Sequence, residues 1–360
     1  MKVLEVINSL GPTGGGETFA VNFSREMSNL AETKVAILRN NNKQHFIDRL
    51  KEKNIEPIIL NKKGHIDLKN VRQLRKVIRE FRPDYIHTEN NALISVYLAL
   101  RHIKRKNRPF VFHTMHLAPC DECADRFVRI MHKHIFKKKG FVPVAITKKL
   151  AEESSLYYKY QNVPYVENGV DLEPFDSSIP LAKRKYDVTV VGRFAYQKNH
   201  VFLIDAFSKL VKDIPTLKVA FVGGGELFNQ MVELAKQEKV DNNIDFLGVL
   251  NSPSKIVNDS KIIALGSHFE ANPLSLLEGM GAGCVVVSSN VGGVADIIHE
   301  PENGFLFQAN DKVRFIEILK KTLLNIGDFE KTRLFNSNYS KQFSMKNCAK
   351  NYFDLFSKYN

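Results

Sequence analysis

Ser267-His268-Phe269-Glu270-Ala271-Asn272-Pro273-Leu274-Ser275-Leu276-Leu277-Glu278-Gly279-Met280-Gly281 sets two carboxylates eight positions apart with a proline between them. Proline is favoured in the first turn of a helix, and Asn272 has a side chain of the kind that caps such a turn. The spacing predicts a helix opening at Pro273, with Glu270 in the loop before it and Glu278 about one and a half turns along. The start of a helix offers unpaired backbone N–H groups and the positive end of the dipole, a ready seat for a phosphate. Asn272, Pro273, Leu274 and Ser275 would then border a diphosphate, with Glu270 and Glu278 accepting hydroxyls from rings on either side. A nucleotide-sugar has that shape.

Outward from this segment the chain alternates short β-branched runs with amphipathic stretches. In the second half the strand candidates are residues 187–192, 218–223, 244–248, 261–266, 284–289 and 304–307. The first half repeats the pattern at residues 2–7, 34–38, 57–60, 84–88, 110–114 and 142–147. Helical spacing joins Phe19, Phe23, Met27 and Leu30, and again Leu68, Val71, Leu74, Ile78 and Phe81. Nearly continuous apolar strands alternating with helices predict an α/β architecture of two doubly wound parallel sheets. A Pro- and Lys-rich connector near residues 172–185 separates the halves. The expected domains are residues 1–170, residues 171–342, and a closing helix at 343–360.

A length of 360 residues suits two domains, and 44% hydrophobic residues suffice for two cores. Residues 1–150 hold 29 lysines and arginines against 14 acids, whereas the remainder holds 23 against 25. The basic excess therefore sits in the first half and points to an anionic partner, a membrane surface or nucleic acid. Apolar runs are too short to cross a bilayer, and the chain starts directly with a strand, so neither a spanning segment nor a signal peptide is expected. Four scattered cysteines argue for a reducing cytosol.

Three further stretches carry chemistry. Gly14-Gly15-Gly16-Glu17 follows the first strand and opens the first helix, where glycines let the backbone approach a phosphate. A dinucleotide fingerprint is excluded, since the spacing is wrong and the second strand ends in Arg39-Asn40 without an acid for a ribose. Arg193 and Lys198 lie five apart after the first strand of the second half and suit a leaving diphosphate; the chain has no Asp-x-Asp metal tether. His113-Thr114-Met115-His116 ends the fifth strand. With Cys120 and Cys123 these histidines also spell a compact four-ligand zinc set, a competing reading.

These segments together resemble the retaining glycosyltransferases of family 4, which have the GT-B fold. The resemblance rests on Glu270-x7-Glu278, the Gly192-Arg193…Lys198 motif, the Gly-Gly-x-Glu at Gly15 and Met115-His116-Leu117. It implies two Rossmann-like domains facing across a cleft, with the closing helix crossing back to the first. It also implies catalytic roles for His116, Glu270, Arg193 and Lys198. Donor binding would fall to Gly14, Gly15, Gly16, Gly223, Leu250, Asn272, Pro273, Leu274, Ser275 and Glu278. His116 would lie near the C6 hydroxyl of the transferred sugar, Glu270 on its other hydroxyls and Glu278 on the ribose. Residues 249–255 carry no acid to meet guanine's donors, which leans towards a UDP-sugar.

The expected reaction is hexosyl transfer with retention, without a metal or other cofactor, onto an acceptor such as a lipid-linked glycan in bacterial polysaccharide assembly. The expected place is the cytoplasm, at the inner face of the membrane, with basic stretches at residues 91–107 and 124–139 as amphipathic docking elements. Rival readings are a nucleotide-sugar epimerase, a sugar phosphorylase, a silent partner subunit and a nucleic-acid-binding protein. The last has only charge in its favour.

Overall fold

The structure is a computed structural model that describes residues 1–11, 15–64, 66–119 and 125–359. Two compact units divide it, one of Met1–Gly169 with Met345–Asn360 and the other of Val170–Ser344.

The first unit runs β1 (Lys2–Ile7), α1 (Gly15–Met27), β2 (Glu32–Ile37), α2 (Gln44–Lys51), β3 (Ile58–Ile59) and α3 (Leu68–Phe81). It continues with β4 (Tyr85–Glu89), α4 (Leu93–Leu100), β5 (Phe110–Met115), α5 (Arg126–Ile135), β6 (Phe141–Ala145) and α6 (Lys148–Tyr158). The second unit comprises β7 (Tyr186–Val191), α7 (His200–Asp213), β8 (Val219–Val222), α8 (Phe228–Gln237), β9 (Ile244–Gly248) and α9 (Ser254–Asn258). Then come β10 (Ser260–Leu265), α10 (Leu274–Gly281), β11 (Val285–Ser289), β12 (Gly304–Phe307), α11 (Lys312–Leu324) and α12 (Glu330–Tyr339). The last helix, α13 (Met345–Ser357), belongs to the first unit.

The described strands form two parallel six-stranded sheets, ordered β3-β2-β1-β4-β5-β6 and β12-β11-β10-β7-β8-β9. Both follow the doubly wound order, in which the chain reverses direction once: between β1 and β4, and between β7 and β10. Ligands in such sheets sit beyond the strand C-termini at that reversal. The sheets form because the strands are apolar on both faces; β4 and β6 are buried along their full length. Strand ends differ from the sequence expectation by a residue or two. The second strand starts at Glu32, not residue 34, because Glu32 and Thr33 pair through their main chains with Lys2 and Val3 whatever their side chains prefer.

Helix α13 closes the first unit. Met345, Cys348, Ala349, Tyr352 and Phe356 pack with Phe19, Phe23 and Met27 of α1 and with Phe112, Val142 and Val144 of the sheet. The chain enters this contact tightly: a Cβ on Gly169 would stand 2.6 Å from Cys348 Cβ.

One expectation fails in part. Residues 91–107 do not make a basic amphipathic helix. Helix α4 ends at Leu100 with most of its side chains buried, and the basic residues Arg101, Lys104, Arg105 and Lys106 follow it as exposed turns. Helix α5 is the amphipathic one: Val128, His132 and Ile135 face inward, while Phe127 and Ile130 stay 48% and 57% exposed.

Candidate active site

In the second unit the loops after β7, β8 and β10 gather at the C-terminal edge of the sheet, around the reversal point. The loop after β7 carries Gly192, Arg193 and Lys198; the loop after β10 carries Ser267 to Glu270. Main chain and side chain tie them together. His268 N donates to Gln197 O at 2.8 Å, and Gln197 Nε2 donates to Phe269 O at 2.9 Å. The rings of Tyr196 and His268 stack at 4.6 Å.

Lys198 and Glu270 meet in this seam. Lys198 Nζ donates to Glu270 Oε1 at 2.5 Å, and Ser267 Oγ donates to the same oxygen at 2.6 Å. Glu270 is buried, and its loop is seated by glycines. Gly293 N donates to Glu270 O at 3.2 Å. Gly292 adopts φ +58°, and a Cβ there would lie 1.6 Å from the same carbonyl oxygen. Beneath Lys198, a Cβ on Gly192 would come within 3.3 Å of Cδ and Cε of its stem. His200, stacked on Phe194 at 4.0 Å, is held down to about 4 by burial first and by the Lys198 charge second. Arg193 is exposed, its carbonyl accepts from Ala195 N at 2.8 Å, and its guanidinium makes no hydrogen bond or ion pair among the described residues, so it is available to an anion.

Gly223 follows β8 at φ +146°, where a Cβ would strike Gly192 O at 1.9 Å, and its N–H donates to Gly248 O at 2.8 Å. The turns after β8 and β9 meet there, with half-buried Leu250 just beyond. Helix α10 opens one residue later than expected. Pro273 occupies the cap position in an extended conformation (φ −74°, ψ 104°), and no side chain caps the helix. Asn272 therefore does not cap it: its Oδ1 is buried without a hydrogen-bond partner among the described residues. A residue before proline is pushed towards extended backbone, and here the proline stays extended too. The amides of Leu274 and Ser275 then begin the helix, as the first N–H groups of any helix do without an intrahelical partner. Glu278 is half-buried, and its carboxyl is pushed up to about 7, by burial first and by the like charge of Asp171 second.

At the corresponding edge of the first unit, Glu89 closes β4 and His116 follows β5. Gly15 and Gly16 begin α1, and a Cβ on Gly16 would lie 3.3 Å from Asn90 Nδ2. Gly14, Cys120 and Cys123 lie outside the described residues. His113 is fully buried, with Nδ1 at 2.9 Å from Thr88 Oγ1. His116 faces Glu89 Oε2 from Nε2 at 3.5 Å and packs edge-on to Phe19. Glu5, His87 and Glu89 bring one ligand-type atom each within 4.8 Å of one another. Hydrogen bonds account for much of this cluster: His87 Nδ1 to Glu5 Oε2 at 2.7 Å, His87 Nε2 to Thr114 Oγ1 at 2.6 Å, and Thr114 Oγ1 to Tyr352 OH at 2.6 Å.

Ser267, Gln197 and Glu89 take part in these arrangements without having been given a role from the sequence. Ser267 stood inside the opening motif, three residues before Glu270. Glu89 had no local signal, because its partner is far along the chain.

Residues 173–341 match the family described as Glycosyl transferases group 1, and residues 13–174 match Glycosyltransferase Family 4. Among curated proteins, the chain is 27% identical over 274 residues to the UDP-Gal:alpha-D-GlcNAc-diphosphoundecaprenol alpha-1,3-galactosyltransferase of Escherichia coli, covering 70% of each. It is 24% identical over 351 residues to an uncharacterized glycosyltransferase of Haemophilus influenzae, covering 92% of this chain and 94% of that one. Among solved structures, HepE of Anabaena in complex with UDP and glucose superposes with a TM-score of 0.81 over 99% of this chain and 100% of that one. At 16% identity that likeness speaks to the fold alone. With a two-sheet fold shared with these structures and nearly its whole length matched by the two family descriptions, the chain belongs to the family 4 glycosyltransferases of GT-B fold.

Proposed function

We propose that this glycosyltransferase moves a hexose-type sugar from a UDP-sugar to an acceptor hydroxyl with retention of anomeric configuration and without a metal ion. The observation that carries the reading is the Lys198–Glu270 contact at the sheet reversal of the second unit. A cation and a sugar-binding carboxylate neutralise each other there and would separate when a donor binds. Lys198 would turn to the diphosphate with Arg193, the Gly15–Gly16 turn and the amides of Leu274 and Ser275. Glu270 would take donor-sugar hydroxyls, Glu278 the ribose, and His116 the far side of the sugar. Gly223 and Leu250 would border the base.

Glu270 already accepts from Lys198 and Ser267, which suits a binding role better than attack on the anomeric carbon. The route is therefore departure and attack on one face. The bond from the anomeric carbon to the β-phosphate oxygen breaks, the acceptor oxygen bonds to that carbon, and its proton passes to the departing oxygen. Charge gathers on the diphosphate, and the cations and amides are aimed at it. Removing one such group typically costs about 10²- to 10³-fold in rate. A UDP donor is supported by the donor named for the Escherichia coli relative.

The acceptor is proposed to be a lipid-linked glycan of a cell-surface polysaccharide, in keeping with the diphosphoundecaprenol acceptor named for the same relative. The protein would reach it from a membrane surface. Helix α5 supports this, since exposed Phe127 and Ile130 lie between Arg126, Arg129 and Lys133, with Lys137, Lys138 and Lys139 just beyond. A basic cavity of about 1180 Å³ at the N-terminal edge of the same sheet adds Arg79, Arg82, Lys104, Lys106 and Arg108 against the single acid Asp84. No described helix is long and apolar enough to cross a membrane.

The test is transfer from UDP-sugars to a diphosphoundecaprenol-linked acceptor in excess EDTA, with the new linkage read by NMR. The reading expects undiminished turnover and an α-linkage from an α-donor. An inverted product, or activity lost to EDTA and restored by a divalent ion, would overturn it.

A further inference from the structure

In the first unit several buried polar residues beside β4 each make at least one hydrogen bond. Glu5, His87, Thr114 and Tyr352 form one hydrogen-bonded chain, and His113 is tied to Thr88. Glu89 stands apart. It is fully buried, and neither carboxylate oxygen has a hydrogen-bond partner among the described residues. Its nearest cationic-type neighbour is His116 Nε2, 3.5 Å from Oε2. A buried carboxylate without a hydrogen bond is costly inside a protein, so the group that can meet it matters. Glu89 closes β4 beside β1, at the reversal point of its sheet, where a bound ligand is expected. Its ring partner is the residue to which the proposed function gives the transferred sugar.

We propose that Glu89 is the positioning residue of His116: its carboxyl holds the imidazole through Nε2, fixes the ring's orientation and makes it more basic. This rests on the reading of the chain as a transferase in which His116 contacts the donor sugar. The 3.5 Å separation is one small rotation from a hydrogen bond, and such contacts commonly tighten when substrate arrives. Burial pushes the Glu89 carboxyl up while the His116 ring draws it back down. The other titratable groups facing the pair are Glu5 of β1, His87 of β4, His113 of β5, and Cys348 and Tyr352 of α13. Among these only Glu5 is acidic, and its Oε2 already meets His87.

Glu89→Gln and Glu89→Leu in the full chain test this. Gln keeps an oxygen for Nε2–H but removes the charge. The expected result is a fall in kcat of about tenfold, a KM for UDP-sugar within about twofold, and an acid limb of kcat moved roughly one pH unit lower. The ¹⁵N-detected titration midpoint of the His116 ring should fall by a similar amount. Leu should lower kcat about a hundredfold. An unchanged His116 midpoint in Glu89→Gln overturns the proposal even if Glu89→Leu does not fold, and so does full activity in a folded Glu89→Leu. If His116→Ala retains transfer, the sugar-contact role of His116 fails instead, while the midpoint still decides whether Glu89 governs the ring.

Discussion

Lys198 and Glu270 stand in opposition before they stand in a reaction. In the free protein the ammonium is neutralised by the carboxylate at 2.5 Å, with Ser267 completing the contact. A donor must therefore win Lys198 from Glu270, and its sugar must repay the carboxylate with hydroxyls. This gives opposite signs for two ligands. Glu270→Gln removes the competing charge, so UDP without its sugar should bind about three- to tenfold tighter, near 1 kcal/mol. The same variant should lose transfer by about a hundredfold or more, because the sugar hydroxyls exchange a charged acceptor for a weaker neutral amide. Calorimetric titration of UDP checks the first half; weaker binding would show that Glu270 does not hold Lys198 back. Ser267 belongs to the same balance. It lay within the opening motif, yet a serine before a glutamate has no sequence signal of its own, and only the folded loop shows its hydroxyl turned onto Oε1.

At the scale of elements, the strand–helix alternation was readable throughout because apolar runs and helical spacing are local properties. What was not readable is what depends on competition or distance. The cap of α10 is an example of competition: Asn272 and Pro273 both suit a helix start, and the extended backbone at Pro273 moves the start to Leu274. Glu89 and His116 are an example of distance, since parallel strands β4 and β5 bring together residues 27 positions apart. The basic stretches divide for a third reason. Burial of α4 among its neighbours leaves the charges after it on turns, whereas α5 keeps an apolar stripe outward. If α5 docks on anionic lipid, changing both Phe127 and Ile130 to Ser should reduce co-sedimentation with phosphatidylglycerol vesicles by about tenfold or more, as lost burial of two large side chains implies. Unchanged sedimentation would move the docking surface elsewhere, the cavity of Arg79 and Arg108 first.

For the whole molecule, two sheets of identical strand order serve different ends. The second unit assembles cations, glycine turns and a helix start at its reversal point. The first places Glu89 and His116 at its own and takes α13 into its core, so that Tyr352 of the last helix meets Thr114 of β5 at 2.6 Å. In the proposed mechanism Lys198 and its neighbours grip a diphosphate unaided by an ion. Titrating UDP into the intact chain and into Lys198→Ala, both in excess EDTA, tests it most directly. The intact chain is expected to bind UDP, and Lys198→Ala to weaken binding at least about tenfold, some 1.4 kcal/mol. Binding that requires a divalent ion, or an affinity that Lys198→Ala leaves untouched, would contradict it.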